Sequence, residues 1–230
     1  MRVNLASPST SIASPRRPHA NARAQGLLSA AAITVALCAL PLHPTDAQGA
    51  AKPDSADVKF MQGMIAHHAQ ALAMVALIPD HTTRSEVQLI GQRIKISQTD
   101  EIALMQRWLQ DRHQVVPTVG ADNVAHMPGG SMPGMQMSGG TMMMPGMLTA
   151  EQMAQLAAAK GSAFDHLFLE DMIHHHEGAI AMVKDLLGTS GAAQAPEVFT
   201  FASDADADQR AEIKRMQAVL NTMATEARKS

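Results

Sequence analysis

The chain contains little cysteine and few aromatic residues. Its 230 residues include one cysteine, one tryptophan, five phenylalanines and no tyrosine. The single cysteine excludes an internal disulfide and a metal site built on several thiolates. A core must therefore form by packing alone, from aliphatic side chains and from methionine. Methionine is abundant, with 18 residues.

The first 47 residues have the pattern of a secretory signal. Four arginines precede an apolar run from Leu27 to Leu42, and Thr45-Asp46-Ala47 supplies the small residues that a signal peptidase recognises. The run is about 16 residues long, whereas a membrane span needs about 20. We predict a cleaved signal peptide (1–47) and a periplasmic or secreted protein with no membrane span after cleavage. A retained N-terminal anchor is the alternative.

Cleavage would leave an acidic protein without thiols. The remaining chain has 14 basic and 20 acidic residues, a net charge of −6, and Cys38 is removed. A chain of this charge has no electrostatic basis for binding nucleic acid. About 183 residues are enough for one domain with a substantial core.

One segment of the sequence occurs twice. Residues 64–75 and 172–183 are identical at eight of twelve positions, at an offset of 108. A second repeated set follows at an offset of 111, where Gln98 and Glu101 recur as Gln209 and Glu212. Because both sets have helical spacing, the repeated unit is predicted to be a helical hairpin.

The helix signals divide the chain into segments. A flexible lead-in (48–53) precedes the first hairpin (54–115), whose helices are expected to run to about Ile78 and from about Thr83 to Arg112. A loop (116–148) leads to the second hairpin (149–225), and the hairpins form one domain (54–225). Thr149 and Gln152 suggest a capping box, Gly161 a break, and Pro196 the start of a fourth helix ending near residue 224. We find no strand pattern, so an all-α four-helix bundle is predicted.

The repeated helices carry metal donors on one face. In each copy a methionine precedes paired histidines by three and four residues, and a second methionine follows. Thioether sulfur and imidazole nitrogen together select soft metals, above all Cu(I), with Ag(I) as its mimic. The candidate ligands are Met64, His67, His68, Met74, Met172, His175, His176 and Met182. Core packing is the alternative role for methionines at this spacing, above all Met61, Met105, Met153 and Met216.

The loop is a second concentration of methionine. Eight methionines lie between residues 127 and 147, among glycines and prolines that interrupt any periodic pattern. We expect a mobile loop that captures metal. Low complexity without function is the alternative. The further candidate ligands in the loop are His126, Met127, Met132, Met135, Met137, Met142, Met143, Met144 and Met147. Two more lie on the repeated helices: Met61 and His174.

Two glutamates fall on the apolar stripes of their helices. Glu101 and Glu212 occupy equivalent positions in the two hairpins. A carboxylate that faces a core is unfavourable unless it is paired. We predict that these glutamates accept hydrogen bonds from the ring N–H groups of the paired histidines, as carboxylates behind metal ligands do. The alternative is that they lie at a wet end of the bundle.

The pattern resembles a known family. Asp57-x-x-Phe60-x-x-x-Met64-Ile65-x-His67-His68-x-x-Ala71-x-x-Met74 and its second copy are similar to the CopM-like, ferritin-like family of exported proteins, which carries a domain of unknown function. The resemblance covers roughly residues 54–224 apart from the loop. It implies a four-helix fold, copper binding through the repeated Met and His residues, and a role in copper tolerance. His174 and the long loop depart from the family pattern.

We therefore expect a copper-binding protein that sequesters Cu(I) or passes it to copper-delivery or efflux proteins. One alternative is a ferritin-like metal-dependent oxidoreductase, but the chain has no Glu-x-x-His motif of the di-iron carboxylate type. Another is a structural or interaction domain without metal, in which methionine provides an adaptable surface.

Overall fold

The structure is a computed structural model that describes residues 55–129 and 143–229. These residues belong to one compact unit, Asp46–Ser230. The predicted signal peptide and lead-in lie outside the described residues. The helices are α1 (Ser55–Ala76), α2 (Ile78–His81), α3 (Ser85–Asp111), α4 (Ala150–Ala158), α5 (Gly161–Gly188) and α6 (Pro196–Ala227).

The helix boundaries follow the sequence signals closely. Thr149 accepts a hydrogen bond from the Gln152 backbone, and the Gln152 side chain accepts one from the Thr149 backbone, which confirms the predicted capping box. Gly161 has a φ of 57°. This left-handed conformation suits glycine and separates α4 from α5. Pro196 begins α6, where its missing N–H leaves no intrahelical bond unmade.

The all-α prediction is confirmed by the described residues, in which helices dominate. Helix α1 packs against α3 and α5, and α6 packs against α5 and α3. Two clusters of buried apolar residues lie between these helices. One stretch of the described chain, Ser55–His81, is long and apolar enough by length and composition to cross a membrane. However, 72% of its most apolar window is buried in the fold, as in a core helix.

The loop differs from the prediction in its described parts. Strands β1 (Thr118–Val119) and β2 (Ala125–His126) form an antiparallel pair, so the expectation of no strand is wrong. Strands of two residues are too short to produce a periodic pattern in the sequence. The turn between them is closed by Asp122, whose side chain accepts a hydrogen bond from the Val124 backbone at 3.1 Å.

Candidate metal site

The two histidine pairs meet where α1 and α5 pack together. All four side chains, those of His67, His68, His175 and His176, have no exposed surface. The rings of His67 and His175 lie in contact, with centroids 3.8 Å apart. The repeated units therefore face each other through equivalent residues in the interior.

His68 and His176, the outer two of the four histidines, each form a hydrogen bond with a glutamate of the same predicted hairpin. The Nε2 atom of His68 donates to Glu101, and that of His176 donates to Glu212 at 2.6 Å. The other Glu212 oxygen accepts from the Ser97 hydroxyl at 3.4 Å. The Glu101 and Glu212 side chains are 16% and 9% exposed, respectively. Each carboxylate is therefore buried against an imidazole and does not lie at a solvent-exposed end of the fold. In the neutral histidine, this pairing leaves Nδ1 with the free lone pair.

His67 is held by a backbone carbonyl instead. Its Nε2 donates to the Pro145 oxygen at 3.0 Å, which again leaves the Nδ1 lone pair free. Burial, and secondarily the neighbouring His68, lowers the pKa of His67 to about 3. Burial also holds the pKa of His175 well below its ordinary value, with a further contribution from His67. Both imidazoles are thus neutral at physiological pH.

Several buried ring nitrogens remain without a partner. Within the described part of the chain, no hydrogen-bond partner is present for Nδ1 of His67, His68, His175 and His176, or for Nε2 of His175. Buried polar atoms are normally satisfied, and a cluster of exceptions needs an explanation such as an ion. Lone pairs on neutral imidazoles are the form that binds metals.

The predicted methionine ligands are divided between the two apolar clusters. Met64 is wholly buried in one cluster, and the half-buried Met182 packs against the same cluster. Met74 and Met172 are wholly buried in the other cluster. Each cluster therefore combines a methionine from α1 with one from α5. Met61, Met105 and Met216 are also fully buried and have the environment of packing residues.

The structure does not bring all predicted donors together. Among the described residues, no group of three or more His, Cys, Asp or Glu side chains is arranged to hold a metal ion. The exposed candidates are His126, Met143 and His174, and the half-buried ones are Met127, Met144 and Met147. The loop candidates Met132, Met135, Met137 and Met142 lie outside the described residues.

The sequence analysis missed the segment that covers the site. Met144–Leu148, here called the strap, crosses α1 and α5 beside the histidines. Its first four residues form a turn in which the Met147 N–H donates to the Met144 oxygen at 3.1 Å, and Gly146 has a φ of 74°. Proline followed by a glycine of positive φ defines a type II turn. The Met-Pro-Gly-Met sequence was the available signal.

Two residues of the helices fix the strap. The side-chain amide of Gln70 donates to the Leu148 oxygen at 2.9 Å and accepts from the Leu148 N–H at 2.8 Å. Gly178 lets the strap approach α5, because a Cβ at this position would overlap the Pro145 carbonyl. The described end of the predicted mobile loop is thus docked, since it makes backbone hydrogen bonds that an exposed loop would make to water.

Structures of known proteins resemble this one. A DUF305 fragment from Deinococcus radiodurans is 28% identical, with a TM-score of 0.60 over 74% of this chain and 98% of that one. A Streptomyces coelicolor DUF305 protein, whose name marks it as a candidate secreted protein, is 27% identical, with a TM-score of 0.59 over 74% and 92%. CopM in its Cu(II)-bound form is 27% identical, with a TM-score of 0.54 over 73% and 97%.

The remaining comparisons concern a second CopM structure, curated proteins and family profiles. CopM in its Cu(I)-bound form is 23% identical over 73% of this chain and 96% of that one, with a TM-score of 0.52, a likeness of fold alone. A comparison with curated proteins gives no match. Residues 57–220 match the profile of a domain of unknown function, DUF305. The ferritin-like classification stays a prediction. The chain belongs to the DUF305 family.

Proposed function

We propose that this protein binds copper as its cargo, and that it sequesters Cu(I) or hands it on outside the cytoplasm. The observation that carries the proposal is the group of buried ring nitrogens without partners between α1 and α5. Burying these atoms is unfavourable unless they bind something. Four imidazoles would supply Nδ1 lone pairs. Met64, Met74, Met172 and Met182 would supply thioethers, divided between the two apolar clusters.

The chemistry of the donors favours copper over zinc. Zinc sites use thiolate, imidazole and carboxylate, whereas thioether with imidazole suits Cu(I). The low pKa of His67 means that this ligand needs no deprotonation to bind. Glu101 and Glu212 would orient the outer imidazoles and raise their basicity. CopM, a structural relative at 27% identity, has been solved with Cu(II), and other CopM structures hold Cu(I) and silver.

The same proposal includes the finer architecture and the location. The packing of α1, α3, α5 and α6 supports a ferritin-like four-helix bundle made of two repeated hairpins. The N-terminal segment and the Streptomyces relative support export to the periplasm or the medium. Copper-delivery or efflux proteins would be the partners at that location.

A titration with Cu(I) under a competing chelator tests the proposal. The protein without its first 47 residues should bind Cu(I), and joint replacement of His67, His68, His175 and His176 by alanine should remove the Cu(I) that the histidines hold. Met64→Leu should weaken binding. Met105→Leu is the matched control, since it removes an equally buried thioether and should leave affinity unchanged.

The outcome also separates the alternatives. A protein that binds neither Cu(I) nor Ag(I) would overturn the proposal and favour the structural or interaction domain. Oxidase turnover by the copper-loaded protein would favour the oxidoreductase. An unchanged number of bound Cu(I) ions and an unchanged affinity in the fourfold histidine variant would show that the histidines are not ligands.

A further inference from the structure

The strap brings one loop thioether to a specific place on α1. A Cβ added at Gly63 would lie 3.4 Å from Met144 Sδ and 3.5 Å from Met182 Cε. The absence of a side chain at Gly63 therefore leaves room for two thioether groups from different segments. Both methionines are half-buried, unlike the fully buried histidines beside them.

The equivalent positions of the other copy do not reproduce this arrangement. The residue equivalent to Gly63 in the second copy is Asp171, and the residue equivalent to Gln70 is Gly178. Gln70 binds the strap through two hydrogen bonds, and Gly178 gives it space. The strap can therefore dock in one orientation only. The repeated sequence predicts two equivalent halves, but the docked strap makes them different.

The strap position is specified by several independent contacts. Gly146 has a φ of 74°, and a Cβ on this residue would lie 2.6 Å from the His174 oxygen and 2.9 Å from the His175 oxygen. Leu148 is 3% exposed and belongs to an apolar cluster. These contacts fix the backbone on the C-terminal side of Met144. Its thioether is thus positioned by the fold and not by chance contact of a free loop.

We propose that Met144 and Met182 form a thioether subsite for a soft monovalent ion, Cu(I) or Ag(I), over Gly63. Asp171, at the position equivalent to Gly63 in the second copy, has a side chain where the subsite needs open space, so the subsite has no counterpart there. Thioethers need no deprotonation, so the subsite binds these ions even where protons compete with imidazole. The inference rests on the proposed function for the choice of metal, but its residues are separate from the histidines.

Titration with Ag(I) tests the subsite, monitored by NMR of methionine methyl groups in the protein without its first 47 residues. The Met144 and Met182 methyl resonances should shift together. Met144→Leu should bind one ion fewer than the unmodified protein and should reduce the Met182 shift. Met153→Leu is the matched control, because Met153 is also half-buried but lies on α4 and is not a candidate ligand. This control should bind as the unmodified protein does.

A second variant displaces the strap without removing sulfur. Gly178→Ala should lose the same ion as Met144→Leu, whereas Gly188→Ala, on the same helix with open space around it, should not. Unchanged stoichiometry and shifts in Met144→Leu would overturn the subsite while leaving the proposed function intact. Equal losses in the Met153 and Met144 variants would also overturn it. Absence of Ag(I) and Cu(I) binding by the unmodified protein would reject both proposals.

Discussion

Acidification of the metal-free protein from pH 7 to pH 4.5 should destabilise it through its buried histidines. In the unfolded chain a histidine takes up a proton below a pKa of about 6.5. In the folded protein burial lowers the pKa of His67 to about 3. Between these values only the unfolded state binds the proton. The stability is therefore complete above pH 6.5 and is lost as the pH falls toward 3.

The size of the effect follows from the pKa difference. Each pH unit below 6.5 corresponds to about 1.4 kcal/mol per histidine, so His67 alone should reduce the free energy of unfolding by about 3 kcal/mol at pH 4.5. His175 acts in the same direction, because its pKa is also lowered by burial. Since a domain is typically stable by about 5–15 kcal/mol, this loss is large.

Urea denaturation at several pH values, with a metal chelator present, measures the effect. Carboxylates contribute to acid denaturation as well, so the decisive quantity is the difference between the unmodified protein and His67→Gln. Glutamine keeps an N–H for the Pro145 oxygen and does not titrate. The variant should lose about 1.4 kcal/mol less per pH unit between pH 6 and pH 4.5. Identical pH dependence in the two proteins would refute the buried neutral state of His67.

Three further predictions concern the supports of the site. Gln70→Ala removes two hydrogen bonds to Leu148 and should lower the free energy of unfolding by about 1–3 kcal/mol; an unchanged urea midpoint would argue against a docked strap. Glu212→Gln should weaken Cu(I) binding by roughly 10- to 100-fold in chelator competition. Equal affinity would mean that the Glu212 carboxylate does not support metal binding by His176. Thr149→Ala should lower stability by about 1 kcal/mol through loss of the capping box; thermal denaturation checks this, and no change in Tm would contradict it.

Much of the fold could be predicted because its signals are local. The Thr149–Gln152 capping box, the break at Gly161 and the start of α6 at Pro196 all depend on residues within one or two helical turns. The repeated segment then predicted that the same hairpin occurs twice. The two-residue strands were missed because they are too short to have a period.

The candidate site was predictable in part for the same reason. Helical spacing placed the paired histidines and the equivalent glutamates on faces that could meet, and His68 with Glu101 and His176 with Glu212 are in hydrogen-bonding contact. The division of the methionines was not predictable. It depends on which apolar cluster each thioether joins when α1 and α5 pack together, and the pattern of a single helix does not specify this.

The sequence by itself determined the helices, the repeated segment and the types of donor on each helix face, because periodicity and capping act between near neighbours. Only the tertiary structure decided which ring nitrogens are free and how the two halves differ. Those properties come from contacts between distant residues: His67 meets Pro145, and Gln70 meets Leu148, each across 78 positions. The strap thereby makes one half of a nearly symmetric repeat unlike the other.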